Sequence, residues 1–249
     1  MRFLFVGDTH SHKDLDKLRS PKVSQLGLGR RDALIHLGDM GAPWRADWDQ
    51  VLAWWQELPM KVIVCLGNHE NYGWIIRQPL IRRFGCRGFD LGGNIFAPLP
   101  GETATLGGKR FWFYPGGLSI DFFWRQLGVD VFPEELLTKP RAEEIIAAYF
   151  KRRTPDYLIS HDGPRSFVEA QFGFSLRVPP ESYYEHMKTA PHSRAHPAFM
   201  LDRIYAQGRY KKWFFGHHHQ DVSVGGLSCL FHQMVLEDSR SGESRVILP

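Results

Sequence analysis

The stretch Phe3-Leu-Phe-Val-Gly-Asp8-Thr-His10 is the part of the sequence that decides its interpretation. A short apolar run of the kind that forms a buried strand stops at a glycine, and two side chains that can bind metals follow closely. The same order of apolar run and polar side chains returns at four later places. They are Leu34-Ile-His-Leu-Gly-Asp39, Val62-Ile-Val-Cys-Leu-Gly-Asn68-His69-Glu70, Tyr157-Leu-Ile-Ser-His161-Asp162 and Trp213-Phe-Phe-Gly-His217-His-His219.

These five blocks would meet at one place if they follow strands of an α/β fold. In an open α/β sheet the carboxyl ends of parallel strands form one rim, and ligands bind in the crevice there. Two Asp, one Asn and several His would then share one pocket. This set offers oxygen and imidazole ligands without a thiolate, which suits Mn, Fe or Zn rather than Ca or a structural cysteine-rich zinc site.

The spacing inside two of the blocks supports a shared ion. Asp8 and His10 are two residues apart, and so are His217 and His219. On extended backbone, side chains two positions apart point to the same side, so each pair could bind one ion. We therefore expect extended backbone at both pairs, with His218 pointing away from the pocket.

Apolar runs bounded by turn residues predict strands, and amphipathic runs predict helices between them. The predicted strands are Arg2–Val6, Ala33–Leu37, Lys61–Leu66, Arg110–Tyr114, Tyr157–Ser160, Lys212–Phe215 and Leu227–His232. The predicted helices are Trp44–Leu58, Arg141–Lys151 and Ala198–Gln207. This alternation indicates an α/β layered fold. We expect one domain, 1–249, in which the aperiodic segments 116–140 and 172–197 are long loops.

The composition excludes several classes of protein. The chain has 249 residues, 43% of them hydrophobic, and a net charge of +4, which argues against disorder. Its cysteines, Cys65, Cys86 and Cys229, are too few and too far apart for a disulfide framework. The run Phe3–Val6 is too short for a signal peptide, and no run approaches the roughly 20 apolar residues of a membrane span. We expect a cytoplasmic protein with no membrane partner.

Taken together, the five blocks resemble the calcineurin-like metallophosphoesterase superfamily. Their order and approximate intervals match that family from residue 8 to residue 219, which is most of the chain. The resemblance implies a four-layer α/β/β/α sandwich of the metallophosphoesterase type, with loop insertions near 116–140 and 172–197. It also implies two divalent metal ions about 3.5–4 Å apart in a hydrolytic site, with Mn favoured over Fe and Zn.

The resemblance also implies a role for each block. The ligands of the first ion would be Asp8, His10 and His219. The ligands of the second ion would be Asn68, His161 and His217. Asp39 would bridge the two ions, and a hydroxide held between them would attack phosphorus in line. His69 would be the second catalytic residue and would stabilise or protonate the leaving oxygen, since an imidazole pKa lies near working pH.

Departures from the family narrow the activity without naming a substrate. Protein phosphatases of this superfamily carry an acidic residue and an arginine soon after the second block, and Gly38-Asp-Met-Gly-Ala-Pro-Trp-Arg45 lacks that pattern. A dinuclear phosphoester hydrolase acting on a phosphodiester or nucleotide is favoured. Nucleic acid stays open as a substrate, because aromatic loops can stack on bases. The alternatives are a phosphomonoesterase and a non-catalytic module that binds a phosphate or a partner.

The sequence leaves several further roles open. Arg45, Arg125 and Arg165 could each contact phosphate, because guanidinium binds phosphate oxygens in pairs, or each could be a surface residue. Asp162 could orient a ligand histidine or cap the helix expected near Pro164. Nothing in the sequence indicates the oligomeric state.

Overall fold

The computed structural model describes residues 1–41 and 48–249 of the chain. The strands, in chain order, are β1 (Arg2–Val6), β2 (Ala33–His36), β3 (Lys61–Val64), β4 (Leu80–Arg83), β5 (Cys86–Asp90), β6 (Ile95–Pro98), β7 (Thr103–Leu106), β8 (Lys109–Tyr114), β9 (Tyr157–Ser160), β10 (Lys212–Phe215), β11 (Val222–Val224), β12 (Leu227–Cys229), β13 (Met234–Asp238) and β14 (Ser244–Ile247). The helices are α1 (Asp16–Arg19), α2 (Pro21–Ser24), α3 (Trp48–Glu57), α4 (Tyr72–Ile75), α5 (Lys139–Phe150), α6 (Arg165–Phe172), α7 (Glu181–His186) and α8 (Pro197–Ala206). Short 3-10 turns lie at Phe122–Trp124 and Pro133–Glu135.

The first sheet joins eight of the described strands in the order β14-β13-β1-β2-β3-β6-β5-β4. Its central strands β1, β2, β3 and β6 are parallel, and antiparallel strands flank them. The strands β1, β2 and β3 stay in register to their ends, where Val6, His36 and Val64 stand side by side. The three blocks that follow these strands therefore leave the sheet at the same rim.

The second sheet joins six of the described strands in the order β11-β12-β10-β9-β8-β7. Its strands β12, β10, β9 and β8 are parallel, and β11 and β7 are antiparallel edges. Ile159 of β9 pairs with Phe214 of β10 on one side and with Phe113 of β8 on the other. The ends of β9 and β10, which carry the last two blocks, are therefore neighbours.

The two sheets pack face to face through an aromatic core. In β1, Phe3 and Phe5 face this core while Leu4 faces the opposite side, as the two-residue period of a strand requires. The ring of Phe5 stacks on Phe214 of the second sheet, with 3.9 Å between ring centroids. Burial of this apolar surface is the main term that holds the sheets together.

Helices cover the outer face of each sheet. Trp55 of α3 is fully buried against the first sheet. Ile146 of α5 and Leu201 of α8 are fully buried against the second. The layers run helix, sheet, sheet, helix, so the predicted four-layer α/β/β/α sandwich is confirmed. None of the described helices is long and apolar enough to cross a membrane.

The two segments expected as long loops lie against each other. Segment 116–140 carries both 3-10 turns, and segment 172–197 contains α7, which its lack of periodicity did not predict. A separate apolar cluster joins the two segments, and its members include Leu118, Phe122, Leu136, Tyr183, Tyr184 and Met187. The two segments, called here the first and second insertion, therefore form one packed unit.

Candidate metal centre

Five of the predicted ligand residues stand on turned backbone at the rim. Their φ angles lie in the left-handed region, at 31° for Asp8, 43° for His10, 55° for Asp39, 68° for His217 and 51° for His219. The described residues include only nine non-glycine positions of this kind, so strain of roughly 1–3 kcal/mol per residue is concentrated here. The expectation of extended backbone at the two spaced pairs is therefore wrong, because turns aim these side chains into the pocket.

Two glycines let the strand ends touch two of the predicted ligand side chains. A Cβ on Gly38, where φ is +104°, would lie 2.2 Å from Nδ1 of His161. A Cβ on Gly67 would lie 2.1 Å from Oδ1 of Asp39. Both distances are shorter than a real Cβ allows, so only glycine permits this close approach.

The rim gathers the predicted site residues into clusters. One cluster has ligand atoms within 4.8 Å of one another and consists of Asp8, His10 and His219. A second cluster that meets the same limit consists of Asp39, His161 and His217. Asn68 adjoins the second cluster, because its Oδ1 lies 3.0 Å from Nε2 of His161. A third, overlapping cluster consists of His10, Asp39 and His69, so proximity alone does not separate His69 from the ligands.

Asp39 belongs to the second cluster and also contacts the first. Its Oδ2 is 3.4 Å from Nε2 of His10, and its Oδ1 is 3.2 Å from Nε2 of His161. The backbone N–H of His69 donates to Oδ1 at 2.7 Å. Each carboxylate oxygen therefore faces a different cluster.

Second contacts fix the orientation of two histidines. Nδ1 of His10 contacts Oδ2 of Asp14 at 2.8 Å, and Nδ1 of His161 donates to the backbone oxygen of Leu37 at 2.8 Å. Each ring therefore turns its Nε2 toward Asp39. Carboxylate and carbonyl partners of this kind orient metal-binding imidazoles and keep Nε2 available for the ion.

The buried carboxylates and histidines of the pocket shift one another's pKa. Burial lowers the pKa of His10 and His161, but the charge and hydrogen bonds of Asp39 outweigh it and raise these values to about 9 and about 10. Burial raises the pKa of Asp39, yet His161 and His69 hold it well below its usual value. Burial raises the pKa of Asp8 to about 6. Metal binding displaces such protons, so this mixed carboxylate, amide and imidazole set fits divalent ions.

His69 lies beside an arginine of the first insertion. Its Nε2 is 3.9 Å from Oδ2 of Asp39 and 3.5 Å from an Nη of Arg125. Burial and the charge of Arg125 lower the pKa of His69 to about 4, although the charge of Asp39 raises it. These shifts favour the uncharged imidazole of His69 at neutral pH.

Arg125 is held in place by its own insertion. Its Nε and one Nη donate to the two carboxylate oxygens of Asp121 at 2.8 and 2.6 Å. The other Nη donates to the backbone oxygen of Asp130 at 3.3 Å. The guanidinium is therefore oriented before any substrate binds.

A cavity of about 500 Å³ opens beside the first and third clusters. Its lining includes His10, His69, His219, Lys13, Arg125 and Phe231. The ring of Phe231 stacks on that of His219, with 4.3 Å between centroids. Arg165 donates a hydrogen bond to Glu169 and does not line this cavity. Arg45 lies outside the described residues. Of the three arginines considered as phosphate contacts, the structure thus brings Arg125 to the site.

Asp162 takes neither of the roles that the sequence left open. Its Oδ1 accepts hydrogen bonds from Nε2 of His218 and from the backbone N–H of Gly163, both at 2.8 Å. Helix α6 begins at Arg165 without a side-chain cap. Asp162 instead anchors His218, the histidine between the two predicted ligands of the last block.

Two buried contacts beside the site gave no signal in the sequence. Nζ of Lys17 donates, at 2.5, 2.9 and 2.5 Å respectively, to the backbone oxygens of Gly7, Asp8 and Phe231. Ser119 of the first insertion accepts a hydrogen bond from Nδ2 of Asn68 at 3.1 Å. Lys17 comes from a position without a motif, and only the fold brings Lys17 and Ser119 to the predicted metal ligands.

A four-layer sandwich with His and Asp groups that can hold metal ions at one rim suits a metal-dependent hydrolase. Residues 1–221 match the family model of the Calcineurin-like phosphoesterase. The chain therefore belongs to the calcineurin-like phosphoesterase family and is a metal-dependent phosphoester hydrolase.

Two solved structures with low sequence identity share this fold, and a third is similar at a lower score. One crystal structure is 13% identical, has a TM-score of 0.55, and the match covers 99% of this chain and 98% of that chain. A putative 5'-nucleotidase from Staphylococcus aureus, in complex with alpha-ketoglutarate, is 13% identical with a TM-score of 0.51, over 99% of this chain and 52% of that chain. A novel archaeal phosphodiesterase is 12% identical with a TM-score of 0.44, over 100% of both chains. No curated protein matches the chain.

Proposed function

We propose that the chain is a dinuclear metal-dependent phosphoester hydrolase that favours phosphodiester or nucleotide substrates. The observation that carries the proposal is the position of Asp39. Its Oδ1 lies 3.2 Å from Nε2 of His161, and its Oδ2 lies 3.4 Å from Nε2 of His10. A carboxylate with one oxygen toward each cluster can bridge two cations, and its negative charge reduces their mutual repulsion.

The proposed ligand set follows the two clusters. The first ion would be held by Asp8, His10 and His219. The second ion would be held by Asn68, His161 and His217. Asp39 would be shared between them. Bound ions would supply a polarised phosphoryl oxygen and a water of lowered pKa as nucleophile. Mn is favoured among Mn, Fe and Zn for this set rich in oxygen and imidazole.

Two side chains would act on the phosphoryl group from the cavity. The guanidinium of Arg125, held by Asp121, would bind phosphate oxygens through paired N–H groups. The uncharged imidazole of His69 would form a hydrogen bond to the phosphoryl group or the leaving oxygen. Of the two roles expected from the sequence, we therefore favour stabilisation of the leaving oxygen by His69 over its protonation.

The cavity supports a substrate larger than a single phosphate. Its volume of about 500 Å³ lies in the range of small-molecule sites. Phe231 lines it, and Phe123 and Trp124, the residues directly before Arg125, are 60% and 88% exposed. Exposed aromatic rings stack on bases, which favours a nucleotide or diester over a small monoester. The proposal keeps the cytoplasmic location expected from the sequence.

Hydrolysis of two model substrates tests the proposal. Metal-stripped protein with Mn²⁺ added back would be assayed on bis-p-nitrophenyl phosphate and on p-nitrophenyl phosphate, beside the variant Asp39→Asn. We expect the wild type to cleave the diester and the variant to lose both activity and metal, because the bridging charge is gone.

Each other outcome selects an alternative. Cleavage of the monoester alone would make the chain a phosphomonoesterase. Inactivity on both substrates with two ions bound would favour a non-catalytic module that binds a phosphate or a partner. Wild-type activity in Asp39→Asn would contradict the dinuclear site itself.

A further inference from the structure

The side chain of Asn68 has two orientations of nearly the same shape. If Asn68 binds the second ion, as the proposed function requires, its amide must present oxygen to that ion, because the NH₂ group has no lone pair to offer. A turn of the amide by about 180° would remove the ligand without moving the backbone. Something in the structure must therefore select one orientation.

The two ends of the amide meet different partners. Oδ1 lies 3.0 Å from Nε2 of His161, on the side of the second cluster. Nδ2 lies on the other side and donates to Oγ of Ser119 at 3.1 Å. Asn68 and Ser119 are only 2% and 1% exposed, so bulk water offers the amide no alternative partner.

Ser119 alone could not select the orientation, because a hydroxyl can either donate or accept. Oγ of Ser119 donates its single hydrogen to Oε2 of Glu135 at 2.6 Å. Only lone pairs of the hydroxyl are then left for Asn68. These lone pairs accept from Nδ2 and repel Oδ1.

Glu135 fixes the direction of this series of hydrogen bonds, because both of its carboxylate oxygens accept hydrogen bonds. Its Oε1 accepts from the backbone N–H of Ser119 at 3.1 Å and from the hydroxyl of Tyr183 at 2.9 Å. Burial raises the pKa of Glu135 to about 8, and above that pH the ionised carboxylate has no hydrogen to donate. Every hydrogen bond in the series from Asn68 through Ser119 to Glu135 therefore runs toward the carboxylate, which is 1% exposed.

We propose that Ser119 and Glu135 of the first insertion are positioning residues that hold the Asn68 amide with its oxygen toward the second metal ion. The first insertion thereby sets the affinity of a metal site as well as the shape of the cavity. Its backbone also reaches this ligand, because a Cβ on Gly117 would lie 2.9 Å from Oδ1 of Asn68.

Titration of metal-stripped protein with Mn²⁺ alone, by calorimetry, tests the proposal. Ser119→Ala removes the hydroxyl that accepts from the Asn68 amide. Glu135→Gln supplies an NH₂ group that can donate to Ser119 and so reverse the direction of the hydrogen bonds. We expect two ions in the wild type. In both variants one ion should bind with unchanged affinity and the other roughly 10- to 100-fold more weakly.

The titration would be run at pH 8.5, because burial raises the pKa of Glu135 to about 8 against the hydrogen bonds from Ser119 and Tyr183. Met187→Ala is the matched control. It loosens the same apolar cluster between the two insertions but leaves the hydrogen bonds among Asn68, Ser119 and Glu135 unchanged, so both ions should bind as in the wild type. An equal loss in this control would mean a general loosening of the insertion and would overturn the proposal.

A double-mutant cycle tests the direction of the hydrogen bonds from Asn68 through Ser119 to Glu135. Asn68→Asp places oxygen at both amide positions, so it can face the ion with oxygen whichever way Ser119 donates. This substitution should strengthen binding of the second ion more in the Glu135→Gln background than in the wild type. Equal gains, or wild-type affinities in both Ser119→Ala and Glu135→Gln, contradict the positioning role. A wild type that binds fewer than two ions contradicts the dinuclear site instead, so the two failures are distinguishable.

Discussion

His69 contacts both Asp39 and Arg125, and distance alone would allow it to be a metal ligand. In the proposed function His69 contacts the substrate and does not bind a metal ion. We expect His69→Asn to lower kcat by roughly 10²- to 10⁴-fold while two metal ions stay bound, because the proposed ligands are all intact. Metal content by mass spectrometry, measured beside initial rates, checks this. Loss of one ion would make His69 a ligand.

Gly67 tests how tightly the rim is packed. A methyl group there would meet Oδ1 of Asp39 at 2.1 Å and its backbone nitrogen at 2.3 Å, so Asp39 must shift. We expect Gly67→Ala to destabilise the protein by about 1–3 kcal/mol and to weaken metal binding, as measured by denaturant unfolding and Mn²⁺ titration.

Gly29→Ala is the control for this substitution, because no atom lies within 4 Å of the added methyl group. It should change the unfolding free energy by less than about 0.5 kcal/mol. If Gly67→Ala behaved like Gly29→Ala, the close packing of the two strand ends would be refuted.

For single residues, the sequence could predict which side chains lie close together but not how they are oriented. Asp39 and Asn68 were identifiable because each follows a buried strand and a glycine. The direction in which the site side chains point depends on left-handed φ angles at residues such as Asp39 and His217. Asp and His in a sequence do not indicate that conformation, whereas glycine does. Lys17 was not identifiable either, since three backbone oxygens satisfy its ammonium group only in the folded chain.

At the element scale, the strands that carry the site were predictable because they are continuous apolar runs. The predicted bounds of Arg2–Val6, Tyr157–Ser160 and Lys212–Phe215 are confirmed. The edge strand β4 was missed, since Leu80–Arg83 alternates exposed and half-buried residues and carries two arginines. Such strands are defined by pairing with a neighbour rather than by their own composition.

The predicted helices are confirmed with shifted ends. Helix α5 covers Lys139–Phe150 and α8 covers Pro197–Ala206, each beginning slightly earlier than its apolar pattern because Pro fits the first turn of a helix. The described part of the predicted helix Trp44–Leu58 is helical over Trp48–Glu57, and residues 44–47 lie outside the described residues.

The first insertion should determine substrate binding through Arg125. We expect Arg125→Gln to raise KM roughly tenfold or more, because a charge-assisted hydrogen bond to phosphate contributes about 1.5–3 kcal/mol. Metal content should not change. Steady-state kinetics on the diester check this, with Arg177→Gln as a control that removes the same charge from an exposed position of the second insertion. Equal effects of the two variants would contradict a specific role for Arg125.

At the scale of the whole molecule, metal ions should contribute to stability. The carboxylates of Asp8 and Asp39 are fully buried, and a ligand that binds only the folded state stabilises it by mass action. At about 1,000 times its Kd, Mn²⁺ should raise the Tm of metal-stripped protein by roughly 10 °C.

Differential scanning calorimetry with and without Mn²⁺ checks this shift, and Asp39→Asn should reduce it. An unchanged Tm in the wild type would mean that the rim does not bind Mn²⁺ in the folded protein. The single domain, 1–249, stays a prediction, and the aromatic core that the two sheets share favours it.

The cluster of Phe122, Tyr183 and Tyr184 between the two insertions limits how this protein can be redesigned. A chimera that takes only segment 116–140 from a relative would leave Tyr183 and Tyr184 against a surface that does not fit them. It would also replace Ser119 and Glu135, the proposed partners of Asn68. Substrate range can therefore be transplanted only when both segments come from one donor, so the pair is the unit of exchange.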